Sequence, residues 1–185
     1  MTNSKQRMNT KKLPFSKLHE IAVKEARKIQ NAKVEHGIAI DECGNVIRVV
    51  GDFSTVEIKT DRPIIIALHN HPHDFKEPMS FSDIDILNMA ESGIEEIMVC
   101  GYGYYFYLRR WGGVLRTHDV VAASRKICET AKKQAKHEIF TTPAYESVTP
   151  KARYKAYVIA ALRKYHEGLM AYTREKGLSY GKVKL

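Results

Sequence analysis

Leu18, Ile21, Ala22, Ile29 and Ala32 recur at helical spacing, and this stripe predicts a helix over about Ser16 to Ala32. The pattern then shortens to β-rich runs. His36 to Asp41 and Val46 to Val50 flank Glu42-Cys43-Gly44-Asn45, a hairpin signature. Further strands are expected at Thr55 to Lys59 and at Ile64 to Leu68. The last of these, Ile64-Ile65-Ile66-Ala67-Leu68, is apolar without alternation, which points to a central strand buried on both faces and ending at His69.

Loop-like sequence from Pro72 to Phe81 leads to Ser82, a residue able to cap a helix that runs to about Ser92 and stops at Gly93. Ile94 to Cys100 and Tyr104 to Arg109 read as two strands joined through Gly101-Tyr102-Gly103. A helix over Asp119 to about Lys136 follows, with Val120, Ile127, Cys128, Ala131 and Ala135 turned inward. After a Thr- and Pro-containing break at Thr141 to Pro150, a long helix carries a regular stripe of Tyr154, Val158, Leu162, Tyr165, Leu169 and Tyr172. That spacing is read as a packing stripe, with Lys151, Arg153, Lys155, Arg163 and Lys164 on the solvated side. The elements describe an α/β (α+β) domain in which helices flank a mixed sheet.

Composition sharpens this in two ways. The chain has 30 Lys and Arg against 21 Asp and Glu, but residues 1–12 hold four basic and no acidic groups, and residues 151–185 hold nine basic and two acidic. The middle is close to neutral and the ends carry the excess, so nucleic acid is an expected possible partner of the basic C-terminal region. The three cysteines, Cys43, Cys100 and Cys128, show no CxxC spacing, and no window of the chain approaches the roughly 18 apolar residues of a membrane span. A cytoplasmic protein without a membrane partner is expected, with residues 1–12 as a disordered basic tail, 13–137 as the catalytic domain, and 138–185 as linker, basic helix and tail.

His69 and His71 lie two apart where the buried strand runs out, so their imidazoles share one face. Asp85 falls in the first turn of the helix capped by Ser82. Two His, one carboxylate and one open position describe a catalytic rather than a structural zinc site. An HNH nuclease is a poor reading of His69-Asn70-His71, because the residues of that motif are dispersed over a ββα finger. His36, His118, His137 and His166 have no partner spacing, and His73, Asp74 and Glu77 read as solvated loop residues.

His69-Asn70-His71-Pro72, followed by Ser82-Asp83-Ile84-Asp85 and preceded by Glu35, resembles the JAMM motif of the JAB/MPN metallopeptidase family. The Asn between the histidines, together with Phe81-Ser82-x-x-Asp85-Ile86 and Glu96-Ile97-x-Val99-x-Gly101, is most similar to the RadC-like and phage-associated branches. The resemblance spans about Val34 to Arg110. It implies a JAB/MPN-like (cytidine-deaminase-like) fold, zinc held by His69, His71 and Asp85, and hydrolysis of a peptide or isopeptide bond in a protein or peptide substrate, a ubiquitin-like conjugate among the candidates. Glu35 would act as general base and Ser82 as oxyanion donor. The alternative is a non-catalytic module of the same fold in phage assembly or nucleic-acid-associated processes. The family usually has seven residues between the second His and the Ser, whereas ten separate His71 from Ser82 here. Ser80 with Asp83 also fits the Ser-x-x-Asp spacing. Ser82 with Asp85 is preferred, because it keeps the Phe-Ser-x-x-Asp-Ile pattern.

Overall fold

A computed structural model of the chain describes residues 9–52, 56–72, 77–110 and 117–185, and the side chains of Asp83, Thr117 and His118 lie outside what it describes. The described residues form a mixed α+β fold, a six-stranded sheet with four helices packed against it. The elements run α1 (Phe15–Ile29), β1 (His36–Asp41), β2 (Val46–Val50), β3 (Ile64–Asn70), α2 (Asp83–Ser92), β4 (Glu96–Gly101), β5 (Tyr104–Arg109), α3 (Thr117–Thr141), α4 (Pro150–Glu175) and β6 (Ser179–Lys184), with a 3₁₀ turn at Pro143–Tyr145.

The sheet order is β2-β1-β3-β4-β5-β6. Every neighbouring pair is antiparallel except β3 and β4, which run parallel, with His69 opposite Val99 and Asn70 opposite Cys100. The β4–β5 connection is a two-residue loop in which both Tyr102 and Gly103 have positive φ. That is the backbone of a tight hairpin turn whose twist matches the strands.

Alternation along the central strands feeds two cores. Ile66, Leu68, Met98 and Cys100 pack with Leu18, Ala22, Ala26 and Ile29 of α1. Val99, Ile97, Phe106 and Leu108 pack with residues of α2, α3 and α4. The apolar run of β3 is therefore central, as its lack of alternation predicts, and it continues through His69 to Asn70.

Three expectations are corrected by tertiary context. Val56 to Lys59 is not a strand. Instead its side chains ride over the sheet, where a Cβ on Gly37 would sit 2.7 Å from Val56 Cγ2, so glycine makes room for the crossing. Thr55 lies outside the described residues. The boundary expected after residue 137 falls inside α3, and the segment 138–185 supplies β6, which pairs with β5 along its whole length. Finally, residues 9–12, expected as the end of a tail, run beside the β1–β2 turn: Asn9 exchanges three hydrogen bonds with Asn45 and Cys43, and the next residue after this segment, Leu13, donates its N–H to Glu42 O. Residues 1–8 of that tail lie outside the described part. No helix among the described residues is long and apolar enough to cross a membrane.

The stripe on α4 is only half a packing stripe. Tyr165 and Leu169 are buried against α3 and the sheet, with the Tyr165 hydroxyl 2.8 Å from Ser124 Oγ. Tyr154 is 58% exposed. Its ring lies 6.2 Å from that of Tyr157, which in turn meets Phe140 of α3. Leu169→Ala is therefore expected to cost ~2–5 kcal/mol in chemical denaturation, the range for a buried Leu truncation. Tyr154→Ala should stay within about 0.5 kcal/mol of wild type, as surface changes usually do.

Candidate metal centre

The β3–α2–β4 crossover builds the site. His69 is the penultimate residue of β3, and alternation turns it to the side of the sheet that α2 covers, opposite to Leu68 and Asn70. His71 follows the strand end but stays tied to the sheet, its N–H donating to Cys100 O of β4 at 3.4 Å. α2 begins directly above, so its first turn delivers Asp85 to the two imidazoles.

The three side chains meet closely. His69 Nε2 is 2.9 Å from His71 Nε2 and 3.1 Å from Asp85 Oδ1, and His71 Nε2 is 3.6 Å from Asp85 Oδ2. One ligand atom from each lies within 4.8 Å of the other two. Tetrahedral zinc with N and O ligands at 2.0–2.2 Å needs donors roughly 3.3 Å apart. The observed separations bracket that spacing, so these residues fit a single divalent cation.

Ser82 holds the carboxylate in place. Its N–H donates to Asp85 Oδ2 at 2.6 Å and its hydroxyl donates to the same oxygen at 2.8 Å, while Asp85 N–H donates back to Ser82 Oγ at 3.2 Å. This is a capping box with Asp at the third helical position, and it leaves Oδ1 turned to His69. Ser80, the serine of the alternative register, is buried elsewhere: its hydroxyl lies 2.5 Å from Tyr180 OH on β6. Of the two serines, Ser82 is the one beside the histidines' carboxylate. The Asp83 side chain, and His73 and Asp74 of the longer loop, lie outside the described residues.

Glu35 sits at the mouth of β1 and is only 8% exposed. Its backbone is fixed on both sides, N–H to Asp52 O at 2.7 Å and C=O from Gly51 N–H at 2.8 Å. Burial pushes its carboxyl above the ordinary range, His69 pulls it back down, and Asp85 and Asp52 add to the rise. Glu35 thus feels both His69 and Asp85. Gly37 stands opposite His69 in the β1–β3 register, so Val56 and Ile58 cover the face of β1 next to the site and help exclude water from it.

Burial opposes charge on Asp85, but His69 and His71 outweigh it and hold the carboxyl well below the usual carboxylate range. Burial likewise opposes charge on His69, yet Asp85, followed by Glu35, raises it above the ordinary imidazole value. His69 and Asp85 thus each favour the charged form of the other.

Two contributions have no signal at sequence level. Asn70, 1% exposed between the two histidines, accepts from His36 N–H and donates to backbone carbonyls at the end of the α1–β1 connection. His166, without a partner by spacing, meets Tyr180 OH at 2.6 Å and helps hold the loop that leads to α2. Their partners lie 34 and 14 residues away, which no local pattern encodes. No family model, curated protein or solved structure matches the chain.

The shifts fix the sign of the pH dependence. Without metal, Asp85 contributes stability above its unfolded value of about 3.9 that is lost as pH falls through its depressed folded value. His69 contributes below about 6.5, and that contribution is lost as pH rises through its raised folded value. Zinc needs the deprotonated imidazoles, so its affinity has the opposite slope. In competition with a chelator, zinc affinity should keep rising between pH 6 and pH 8, past the point where an ordinary His has finished titrating. An affinity that is flat over this range would exclude the His pair as ligands.

Proposed function

We propose that the chain is a zinc-dependent hydrolase of the JAMM type, cleaving a peptide or isopeptide bond, with His69, His71 and Asp85 as ligands and Glu35 as general base. The observation that carries the reading is the convergence of the two imidazoles and one carboxylate at mutual distances of 2.9–3.6 Å, beside a desolvated glutamate. Three protein ligands leave one position for water, which is the arrangement of catalytic rather than structural zinc. Zinc bound there supplies Lewis acidity and water that ionises near neutral pH.

The residues divide the remaining work. Glu35, its carboxyl raised by burial, takes the proton of the attacking water and returns it to the leaving nitrogen as the C–N bond breaks, giving a carboxylate and an amine. Ser82 N–H retains Asp85 Oδ2 without help from the hydroxyl, so the hydroxyl can turn from Asp85 to the oxyanion that develops on the substrate carbonyl. We assign the JAB/MPN-like fold on the same grounds: a His-x-His pair at the end of β3 and a Ser-x-x-Asp at the start of the crossover helix keep the chain order of the motif, and their side chains converge. The substrate proposed is a peptide or a ubiquitin-like conjugate.

Glu35→Gln separates chemistry from metal binding. The variant should fold and hold about one zinc per chain, as wild type should, while hydrolysis of any conjugate or library peptide that wild type cleaves falls by roughly 10²- to 10⁴-fold, the usual share of a general base. Unchanged cleavage by the variant would remove Glu35 from the mechanism. A wild-type chain that takes up zinc and cleaves nothing in such a screen would favour the non-catalytic alternative.

A further inference from the structure

Asn70 is the one polar side chain of β3 that points away from the candidate metal centre, and it is buried at the α1 side of the sheet. Its carboxamide makes three hydrogen bonds to backbone. Oδ1 accepts from His36 N–H at 2.7 Å, and Nδ2 donates to Val34 O at 3.1 Å and to Ala32 O at 3.4 Å. The groups it grips lie on both sides of Glu35 in the chain. We propose that Asn70 is the positioning residue for Glu35: one buried amide locks the 32–36 segment to β3 between the two histidines, and so sets the glutamate carboxylate relative to the imidazoles.

The chemistry selects Asn at this position. The site requires an acceptor on one branch and a donor with two hydrogens on the other, which among side chains of this length only a carboxamide offers. Asp keeps the acceptor and loses both donors, placing a carboxylate against the Val34 and Ala32 carbonyls. Ser or Thr can accept from His36 N–H but carries a single O–H, so it cannot donate to the Val34 and Ala32 carbonyls together. The lever is short, because Asn70 is flanked in sequence by His69 and His71. Any displacement of its backbone moves the ligands, and any release of its amide moves the base. On the far side, Glu35 is already held by the Asp52 and Gly51 backbone, so the Asn70 clamp completes a grip on the segment from two strands, β3 and the extension of β2.

This inference rests on the proposed role of Glu35, and the test keeps the two separate. Amide hydrogen exchange on the full chain reads the clamp alone. Asn70→Ala should speed exchange at His36 roughly tenfold or more, as expected when a buried donor loses its acceptor, while Ile38 and Ile40 in the body of β1 keep their protection. Unchanged exchange at His36 overturns the clamp. Should the Ala variant fail to fold, Asn70→Asp serves. Its exchange should be faster at Gly51, whose N–H donates to Glu35 O, and equal exchange there overturns the proposal in the same way.

The positioning role is read on the library peptide that wild type cleaves fastest. In Asn70→Ala, kcat should fall at least tenfold with KM and zinc content unchanged. The double variant with Glu35→Gln should be no slower than Glu35→Gln alone, since a group that acts only through the base has nothing further to lose once the base is gone. Additive losses would overturn positioning through Glu35. A wild-type chain that binds zinc but cleaves neither peptide nor conjugate overturns the hydrolase reading and the catalytic half of this inference with it, while the exchange results still decide the clamp.

Discussion

Two parallel strands side by side need a crossover that carries the chain back to its starting edge, and between β3 and β4 that crossover is α2. The start of the helix is thereby brought over the C-terminal end of β3. His69 and His71 sit at the strand end there, and Asp85 occupies the first helical turn, so the candidate metal centre is a consequence of how one strand pair is connected. Parallel pairing also demands cover on both faces, which α1 supplies on one side and α2, α3 and α4 on the other. A site at the carboxyl end of such a strand stays open to solvent while its walls are rigid.

Electrostatics within the centre are balanced by proximity rather than by exposure. The Asp85 carboxylate takes two donors from Ser82 on one oxygen and faces His69 with the other. Capping the helix and presenting the carboxylate to the histidines are therefore the same act, and the capping box restrains the carboxylate rotamer. Glu35 stands apart from that network. Burial outweighs the pull of His69 there and keeps the Glu35 carboxyl raised.

The opposite face of the sheet spends its buried charge on cohesion. Glu96 is fully buried on β4, 2.6 Å from His19 Nδ1 of α1 and 2.6 Å from Arg109 of β5, whose guanidinium lies over Phe15. The cluster ties α1 to the two strands beneath it, and loss of Arg109 would leave the buried carboxylate without its guanidinium. At the other end of the chain, β6 closes the sheet edge, and through Tyr180 it reaches Ser80, two residues before the cap of α2. The C-terminal segment thus supports the loop that delivers Asp85.

Local chemistry determined much of this at sequence level. The β1–β2 hairpin, the apolar β3, the cap at Ser82 and the stop at Gly93, and the His-x-His and Ser-x-x-Asp spacings are all set by residues within a few positions of one another. Period and turn chemistry act over that range. Tertiary structure decided what depends on distant partners. Ser179–Lys184 is a polar, basic run that becomes a strand only because β5 offers a free edge, and Val56–Lys59 has strand composition yet remains unpaired because it crosses over Gly37. Tyr154 and Tyr165 belong to one helical stripe, yet one is exposed and the other packs into the core beside α3 and the sheet, a difference the helical period does not carry. The roles of Asn70 and His166 have the same origin, since a hydrogen bond across the fold depends on where the backbone brings its partner and leaves no periodic trace in the chain.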